Sequence, residues 1–352
     1  TGGHIFPAVA IANALKKKEP GISILFVGAK GKMEMEKIPE AGYDIKGIDI
    51  AGFNRSSLIK NIGLPFKLIR SFFQVRKIFK AFGPDAAVGV GGYSTFPVLR
   101  YAQAKGIPSF IHESNSLAGK SNILLGKKAT RIFAASDDME RFFPADRLVH
   151  TGNPVRAEVV GKRITKAEGL AFFGLEPGRI TVFITGGSLG AKSINEAIDA
   201  GISRLVKNGI QLIRQTGKTF AAKAAEHAAE SSLVWTNPFI SEMGYAYAAA
   251  DIVVSRSGSI LYELCAVKKP VVFIPYPYAA EDHQTVNAQN LVNKHAALMI
   301  PDKEAGNKLV DTVIALANDP AEQERLKENI GKLAITDADE KIAAEILKVL
   351  HG

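Results

Sequence analysis

Cysteine is almost missing from this chain: Cys265 is the one thiol among 352 residues. A single thiol closes no internal disulfide and builds no multi-cysteine metal site. The default setting is therefore reducing and cytoplasmic, and Cys265 reads as a small buried hydrophobe. Long apolar runs are missing too. No stretch of about 18 uncharged apolar residues occurs, which excludes a membrane-spanning helix. Two nucleotide signatures are also absent. The glycine-rich "GGSLGA" (186–191) lacks G-x-G-x-x-G spacing and no G-K-[ST] follows it, which disfavours hydride transfer and ATP hydrolysis.

What remains is ample for a core. A hydrophobic fraction of 47% over 352 residues supports two domains. The net charge of +9 is unevenly shared: residues 1–160 hold 23 Lys and Arg against 13 Asp and Glu, and residues 161–352 hold 21 against 22. An anionic partner belongs to the first half, whether nucleic acid, a membrane surface or an anionic substrate.

Short apolar runs alternate with helix-length segments: "ISILFVG" (22–28), "AAVGV" (86–90), "PSFIHE" (108–113), "RIFAAS" (131–136), "ITVFIT" (180–185), "IQLIRQ" (210–215), "DIVVSR" (251–256) and "PVVFIP" (270–275). The alternation predicts parallel βαβ units, hence an α/β protein with its function at strand C-terminal ends. An internal echo predicts two such halves. "TGGS" (185–188) opens a helix directly after a strand, whereas "TGGH" (1–4) opens one with no strand before it, so the first half's opening strand is expected outside this numbering. The boundary is expected within "GNPVRAEVVGKR" (152–163), giving domains 1–157 and 158–335, with 336–352 as a closing helix that starts near Asp337.

Glycine pairs at 2–3, 91–92 and 186–187 let the backbone approach a phosphate, or simply make turns. Ser255, Ser257 and Ser259 supply hydroxyls that suit a phosphate, ahead of a helix. Glu263, one turn in, can accept two hydrogen bonds from a vicinal diol such as ribose; the plainer reading is a serine-capped helix with a solvated glutamate. The segment 278–290 is a polar loop suited to sugar hydroxyls, or an ordinary helix start. His4 on its glycine turn is a candidate base, and Glu113 and Asn115 in "IHESN" face the same strand mouth. "DAD" (337–339) precedes a helix and reads as a cap, so no protein-held metal and no cofactor are expected.

Between residues 63 and 83, spacing at about 100° per residue puts Leu64, Leu68, Phe72, Val75, Phe79 and Phe82 on a core stripe. Phe66, Ile69 and Phe73 fall opposite, among Lys67, Arg70, Arg76, Lys77 and Lys80. Apolar groups interleaved with cations suit an anionic membrane surface. An ordinary amphipathic helix is the plainer alternative.

Taken together, "TGGHIFPAVAIA", "GVGGYSTFP", "IHESNSLAGKSN", "GNPVR", "TGGSLGA", "SRSGS" with "YEL", and "DHQTVNAQNL" run in one order over essentially the whole chain. They resemble the MurG family of N-acetylglucosaminyltransferases, which convert lipid I to lipid II in bacterial cell-wall synthesis. The resemblance implies two Rossmann-like domains facing across a cleft, the GT-B architecture, peripheral to the cytoplasmic face of the plasma membrane. It implies inverting transfer from UDP-N-acetylglucosamine to the 4-hydroxyl of the lipid-linked muramyl sugar. Implied partners are lipid I, an anionic membrane surface and cell-wall synthesis proteins, with no nucleic acid.

The same resemblance implies donor contacts at Thr1, Gly2, Gly3, Asn115, Arg156, Ser188, Ile240, Glu263, His283 and Gln284. Ser188 and Arg156 would lie at the diphosphate, Phe239 and Ile240 at the uracil, Glu263 at the ribose, and His283 and Gln284 at the sugar. Gly91, Gly92 and Tyr93 would serve the acceptor, with His4 as first choice of base and Glu113 as second. Rival readings are another UDP-sugar glycolipid transferase, a UDP-N-acetylglucosamine 2-epimerase, which needs no lipid, and a non-catalytic nucleotide-sugar-binding protein at the membrane.

Overall fold

A computed structural model describes residues 2–52, 63–161 and 164–352. The chain divides into two compact units, Thr1–Val155 with Asp337–Gly352, and Arg156–Thr336.

In the first unit, β1 (Leu25–Ala29) pairs in parallel with β2 (Asp44–Ile48). A second parallel sheet runs in the order β3 (Ala87–Gly89), β4 (Ser109–Glu113), β5 (Arg131–Ala134) and β6 (Leu148–His150). β4 is buried along its whole length, as a central parallel strand covered on both faces must be. The helix Gly2–Lys18 lays Ile11, Ala14 and Leu15 against Phe110 and Phe133 of this sheet and against Ile342, Ala343 and Ile346. Those last three belong to the helix Ala338–His351, so the end of the chain returns to the first unit. Residues of β1 and of the β3 segment line a cavity of about 610 Å³, together with Ile78, Phe79 and Phe82.

The second unit carries six parallel strands: β7 (Thr181–Thr185), β8 (Gln211–Gln215), β9 (Val234–Asn237), β10 (Ile252–Ser255), β11 (Val271–Phe273) and β12 (Leu298–Met299). Their order is β12-β11-β10-β7-β8-β9. Chain order runs outward on both sides of the β7–β10 pair, and open α/β sheets hold ligands at such a switch point, outside the strand C-terminal ends.

Every expected strand is present, most of them trimmed by a residue or more, while β1 starts at Leu25 and runs one residue past the expected end, to Ala29. β2, β9 and β12 were not anticipated: "DIKGI" mixes charge and glycine, and β12 is two residues long. Two local expectations are corrected. Phe82 is 38% exposed because it ends the helix Leu64–Phe82, which stops at left-handed Gly83, past the last turn covered by the core. Asp337 stands at the N-cap of the final helix but makes no capping bond from its side chain; it pairs with Lys341 at 3.0 Å. The polar stretch after β11 turns through Ala280–Asp282 and is helical from His283 to Asn293.

Candidate active site

In the second unit the loop after β7 carries Ser188, half-buried. Gly190, at φ 76°, lies so close to the loop after β8 that a Cβ there would sit 2.0 Å from the Thr216 carbonyl oxygen. Only glycine allows that approach. Gln215 ties the neighbouring pieces together. Its Nε2 donates to Thr185 Oγ1 (3.1 Å) and to the Gly187 carbonyl (3.0 Å), and its Oε1 accepts the Ile240 N–H (2.9 Å). One buried amide thus joins the Ser188 loop to the Phe239–Ile240 segment, in which Ile240 is buried and Phe239 is 44% exposed.

Ser255, which ends β10, and Ser257 just after it are buried and donate their hydroxyls to the carbonyls of Arg256 (2.9 Å) and Gln284 (2.7 Å). These hydroxyls, expected to suit a phosphate, hold backbone instead. Gln284 accepts the Tyr276 N–H at 3.0 Å, and its Nε2 lies near Gly258. His283, half-buried, occupies the first turn of the same helix. Arg256 bonds the carbonyls of Ile274 and Pro275 and also reaches Asp302 and Ser193, bracing the C-terminal ends of β10 and β11.

The strongest electrostatic feature surrounds Glu263. Arg156 meets its carboxylate as a fork, Nε to Oε1 and Nη2 to Oε2, each at 2.7 Å, and Tyr247 donates its hydroxyl to Oε2 at 2.7 Å. Side-chain exposures are 14% for Arg156 and 10% for Glu263, and Tyr247 is 1% exposed. Burial works against the charge on Arg156, but the hydrogen bonds and charge of Glu263 outweigh it and hold the guanidinium above its ordinary range. Burial and the adjacent carboxylate push the Tyr247 phenol well above its usual 10. Tyr247 and Gln215 escaped sequence reasoning, since both sit in apolar stretches that read as core.

In the first unit, the His4 ring lies over the turn after β3. A Cβ on Gly91, whose φ is 97°, would fall 2.8 Å from His4 Nε2, so glycine at 91 makes the imidazole's seat. Thr95 Oγ1 donates to the Gly91 carbonyl at 2.5 Å and fixes that turn. Gly92 adjoins it, and Tyr93 is 53% exposed with its ring against Gly52. Gly2 and Gly3 open the first helix, and Thr1 lies outside the described residues.

Glu113, buried at the end of β4, accepts four hydrogen bonds. Asn115 gives its N–H (3.0 Å) and Nδ2 (3.1 Å) to Oε1; Gly119 N–H (3.1 Å) and Asn122 Nδ2 (2.8 Å) reach Oε2. Two carboxylate oxygens offer about four lone-pair sites, so this loop uses the whole capacity. Beside it His112 is buried, with Nε2 3.4 Å from the Gly152 carbonyl. Its pKa falls to about 4, chiefly through burial, with the nearby His4 adding to the effect against the Gly152 bond.

On the helix Leu64–Phe82, Phe66 is 75%, Ile69 57% and Phe73 66% exposed, and Lys67, Arg70, Arg76, Lys77 and Lys80 are exposed around them. Arg70 also pairs with Asp49 at 3.1 Å. No described helix is long and apolar enough to cross a membrane. Among the described residues, no group of three or more His, Cys, Asp or Glu is disposed to hold a metal ion.

Two units built on parallel sheets, the second with a switch point in its strand order, define an α/β protein, and comparison with known proteins gives the class. Models of the glycosyltransferase family 28 N-terminal domain and C-terminal domain match residues 1–134 and 181–343. Within that class the chain belongs to the MurG family of GT-B glycosyltransferases. The UDP-N-acetylglucosamine--N-acetylmuramyl-(pentapeptide) pyrophosphoryl-undecaprenol N-acetylglucosamine transferase of Phocaeicola vulgatus is 48% identical over 353 residues, 99% of this chain and 94% of that protein. The protein of the same name from Cytophaga hutchinsonii is 45% identical, over 100% and 95%. Among solved structures, Acinetobacter baumannii MurG superposes with a TM-score of 0.76 at 26% identity, covering 99% of this chain and 97% of that one. A UDP-GlcNAc 2-epimerase from Neisseria meningitidis, at 16% identity and TM-score 0.72, shares the fold.

Proposed function

We propose that the protein transfers N-acetylglucosamine from UDP-N-acetylglucosamine to the 4-hydroxyl of the muramyl sugar of lipid I, with inversion, giving lipid II for peptidoglycan synthesis. The observation that carries this reading is identity of 44–48% over nearly the full chain to transferases so named. Purified protein incubated with UDP-N-acetylglucosamine and a lipid I analogue should yield the disaccharide lipid. UDP released at full rate without lipid would favour the epimerase reading, and a different acceptor lipid another transferase.

The donor sits on the second unit, at the β7–β10 switch point. Ser188 and the N–H groups of its loop take the diphosphate, the Phe239–Ile240 segment takes the uracil, Glu263 the ribose, and His283 and Gln284 the sugar. Gly2, Gly3 and Asn115 are further donor contacts on this reading. Fixed dipoles and Arg156 offset the charge that develops on the leaving UDP.

On the acceptor side, His4 takes the proton of the attacking hydroxyl, and Gly91, Gly92 and Tyr93 shape the approach. The seat over Gly91 supports His4 as base. Glu113 is the weaker choice, because accepting a proton would break part of its four-bond set. His4→Ala should lower kcat by about 10²–10⁴-fold with little change in donor affinity; unchanged turnover would remove His4 from the role.

The Phe66, Ile69 and Phe73 face, ringed by Lys67, Arg70, Lys77 and Lys80, rests on the anionic cytoplasmic leaflet, where the lipid acceptor lies. Other cell-wall synthesis proteins are partners at that surface.

A further inference from the structure

Glu263 has more donors in this structure than a ribose-binding carboxylate can keep. Arg156 takes one site on each oxygen and Tyr247 a second site on Oε2. With about two acceptor sites per oxygen, one position on Oε1 is left, whereas a vicinal diol held by both oxygens needs one on each. One of the two donors must leave. Arg156 is the movable one: it stands in the segment before the short helix Ala157–Val160, 107 residues from Glu263 in sequence, and its long side chain also reaches Glu158 at 3.5 Å. Tyr247 is not movable. It is 1% exposed, in the helix Met243–Ala249, with its ring edge-on to Phe183 of β7 at 5.8 Å. Its raised pKa keeps the hydroxyl protonated and donating at any pH of interest.

We propose that Tyr247 is the positioning residue of the ribose site: it holds Glu263 Oε2 in place when Arg156 gives up the carboxylate to the ribose diol and turns to the diphosphate. The inference rests on the reading of Glu263 as the ribose-binding group. With Arg156 gone and Tyr247 in place, two sites on Oε1 and one on Oε2 are open, enough for a two-point grip on the diol. Without the phenol, the carboxylate loses its fixed rotamer just when its arginine partner departs. The cost therefore falls on ligands that carry both ribose hydroxyls.

The test measures binding of two probes, UDP-N-acetylglucosamine and its 2′-deoxyuridine analogue, to wild type, Tyr247→Phe and Glu263→Gln by calorimetry, with thermal melting as the check on folding. Wild type should prefer the ribose donor by about 10–100-fold, the factor that loss of one hydrogen bond to a charged group carries. Tyr247→Phe should weaken the ribose donor by about tenfold and the deoxy donor less than twofold, narrowing the preference. It should add nothing in the Glu263→Gln background, because the two groups act as a unit. Equal weakening of both donors, or an additive loss in the double variant, would mean that Tyr247 only packs and would overturn the proposal while leaving the Glu263 reading intact. A wild type indifferent to the 2′-hydroxyl would overturn both together.

Discussion

Each unit buries a glutamate, Glu113 at the C-terminal end of β4 and Glu263 in the helix Ile260–Ala266 that follows β10, and the two are held in opposite ways. Glu113 takes four neutral amide donors, all from residues 115–122, the loop after β4 and the first turn of the helix Lys120–Gly126. Glu263 takes a guanidinium from 107 residues away and a phenol from 16 residues away. The first set is local and amounts to loop architecture. The second is long-range and contains a charged donor, in the unit whose sheet has its switch point between β7 and β10. Two carboxylates of similar burial thus differ in the kind of donor that holds them, amides for Glu113 and an arginine with a phenol for Glu263.

The largest expected effects come from changing each glutamate to its amide. Glu113→Gln puts an NH₂ where donors point, and leaving buried donors unpaired should cost about 2–4 kcal/mol. That amounts to a fall of roughly 5–15 °C in melting temperature for a unit of this size. Glu263→Gln should lose less stability, because Arg156 can swing toward solvent, yet should raise the donor Kd by about 100-fold. Melting curves and donor titrations on the two variants side by side check this, and a Glu113→Gln protein that melts normally but fails to bind donor would reverse the comparison.

His112 sharpens the contrast from the fold-holding side. Burial lowers its pKa to about 4, below the ordinary imidazole value of 6.5. The unfolded chain therefore binds a proton that the folded one refuses between those values, and stability rises with pH in that window. Full stability is present above pH 6.5 and falls by roughly 3 kcal/mol by pH 4, at about 1.4 kcal/mol per pH unit. Urea midpoints from pH 7 to 4 should show this slope, and His112→Gln should flatten it.

A smaller effect is expected at Gly91→Ala. An L side chain at φ 97° is strained, and its Cβ would press on the His4 ring. We expect a loss of about 1–2 kcal/mol and a tenfold or greater fall in kcat, with donor affinity in the second unit unchanged. The smallest effect on stability belongs to the outer helix face. Replacing Phe66, Ile69 and Phe73 with serine should leave stability within about 0.5 kcal/mol per site and donor binding intact, while binding to anionic vesicles in a sedimentation assay drops severalfold.

How much was legible in the sequence follows from how local each feature is. The parallel α/β class showed in the alternation of "ITVFIT" and "DIVVSR" with helical stretches, and the outer face of Leu64–Phe82 in a period of 3.6, because both patterns repeat over short distances. The order of β7 to β12 did not show, since strand neighbours are a long-range choice. Glu113 was legible as a polar residue at a strand end. Its donors at positions 115, 119 and 122 follow no period, so its occupation was not. Glu263 stood out in "SRSGS…YEL", but nothing in that stretch points to Arg156 or Tyr247, which reach it only through tertiary packing. Ser255 and Ser257 carried the right chemistry for a phosphate, and their burial turned it inward.

Gln215 gives the second unit a property that none of its loops has alone. One amide spans from the Gly187 carbonyl to the Ile240 N–H, so the loop after β7 and the segment after β9 cannot drift apart without breaking a buried bond. On the reading proposed above, those are the two ends that grip a nucleotide. The site is then a caliper set to one jaw width before the ligand arrives: part of the ordering cost of binding is met during folding, and ligands are judged by their length as well as by their groups.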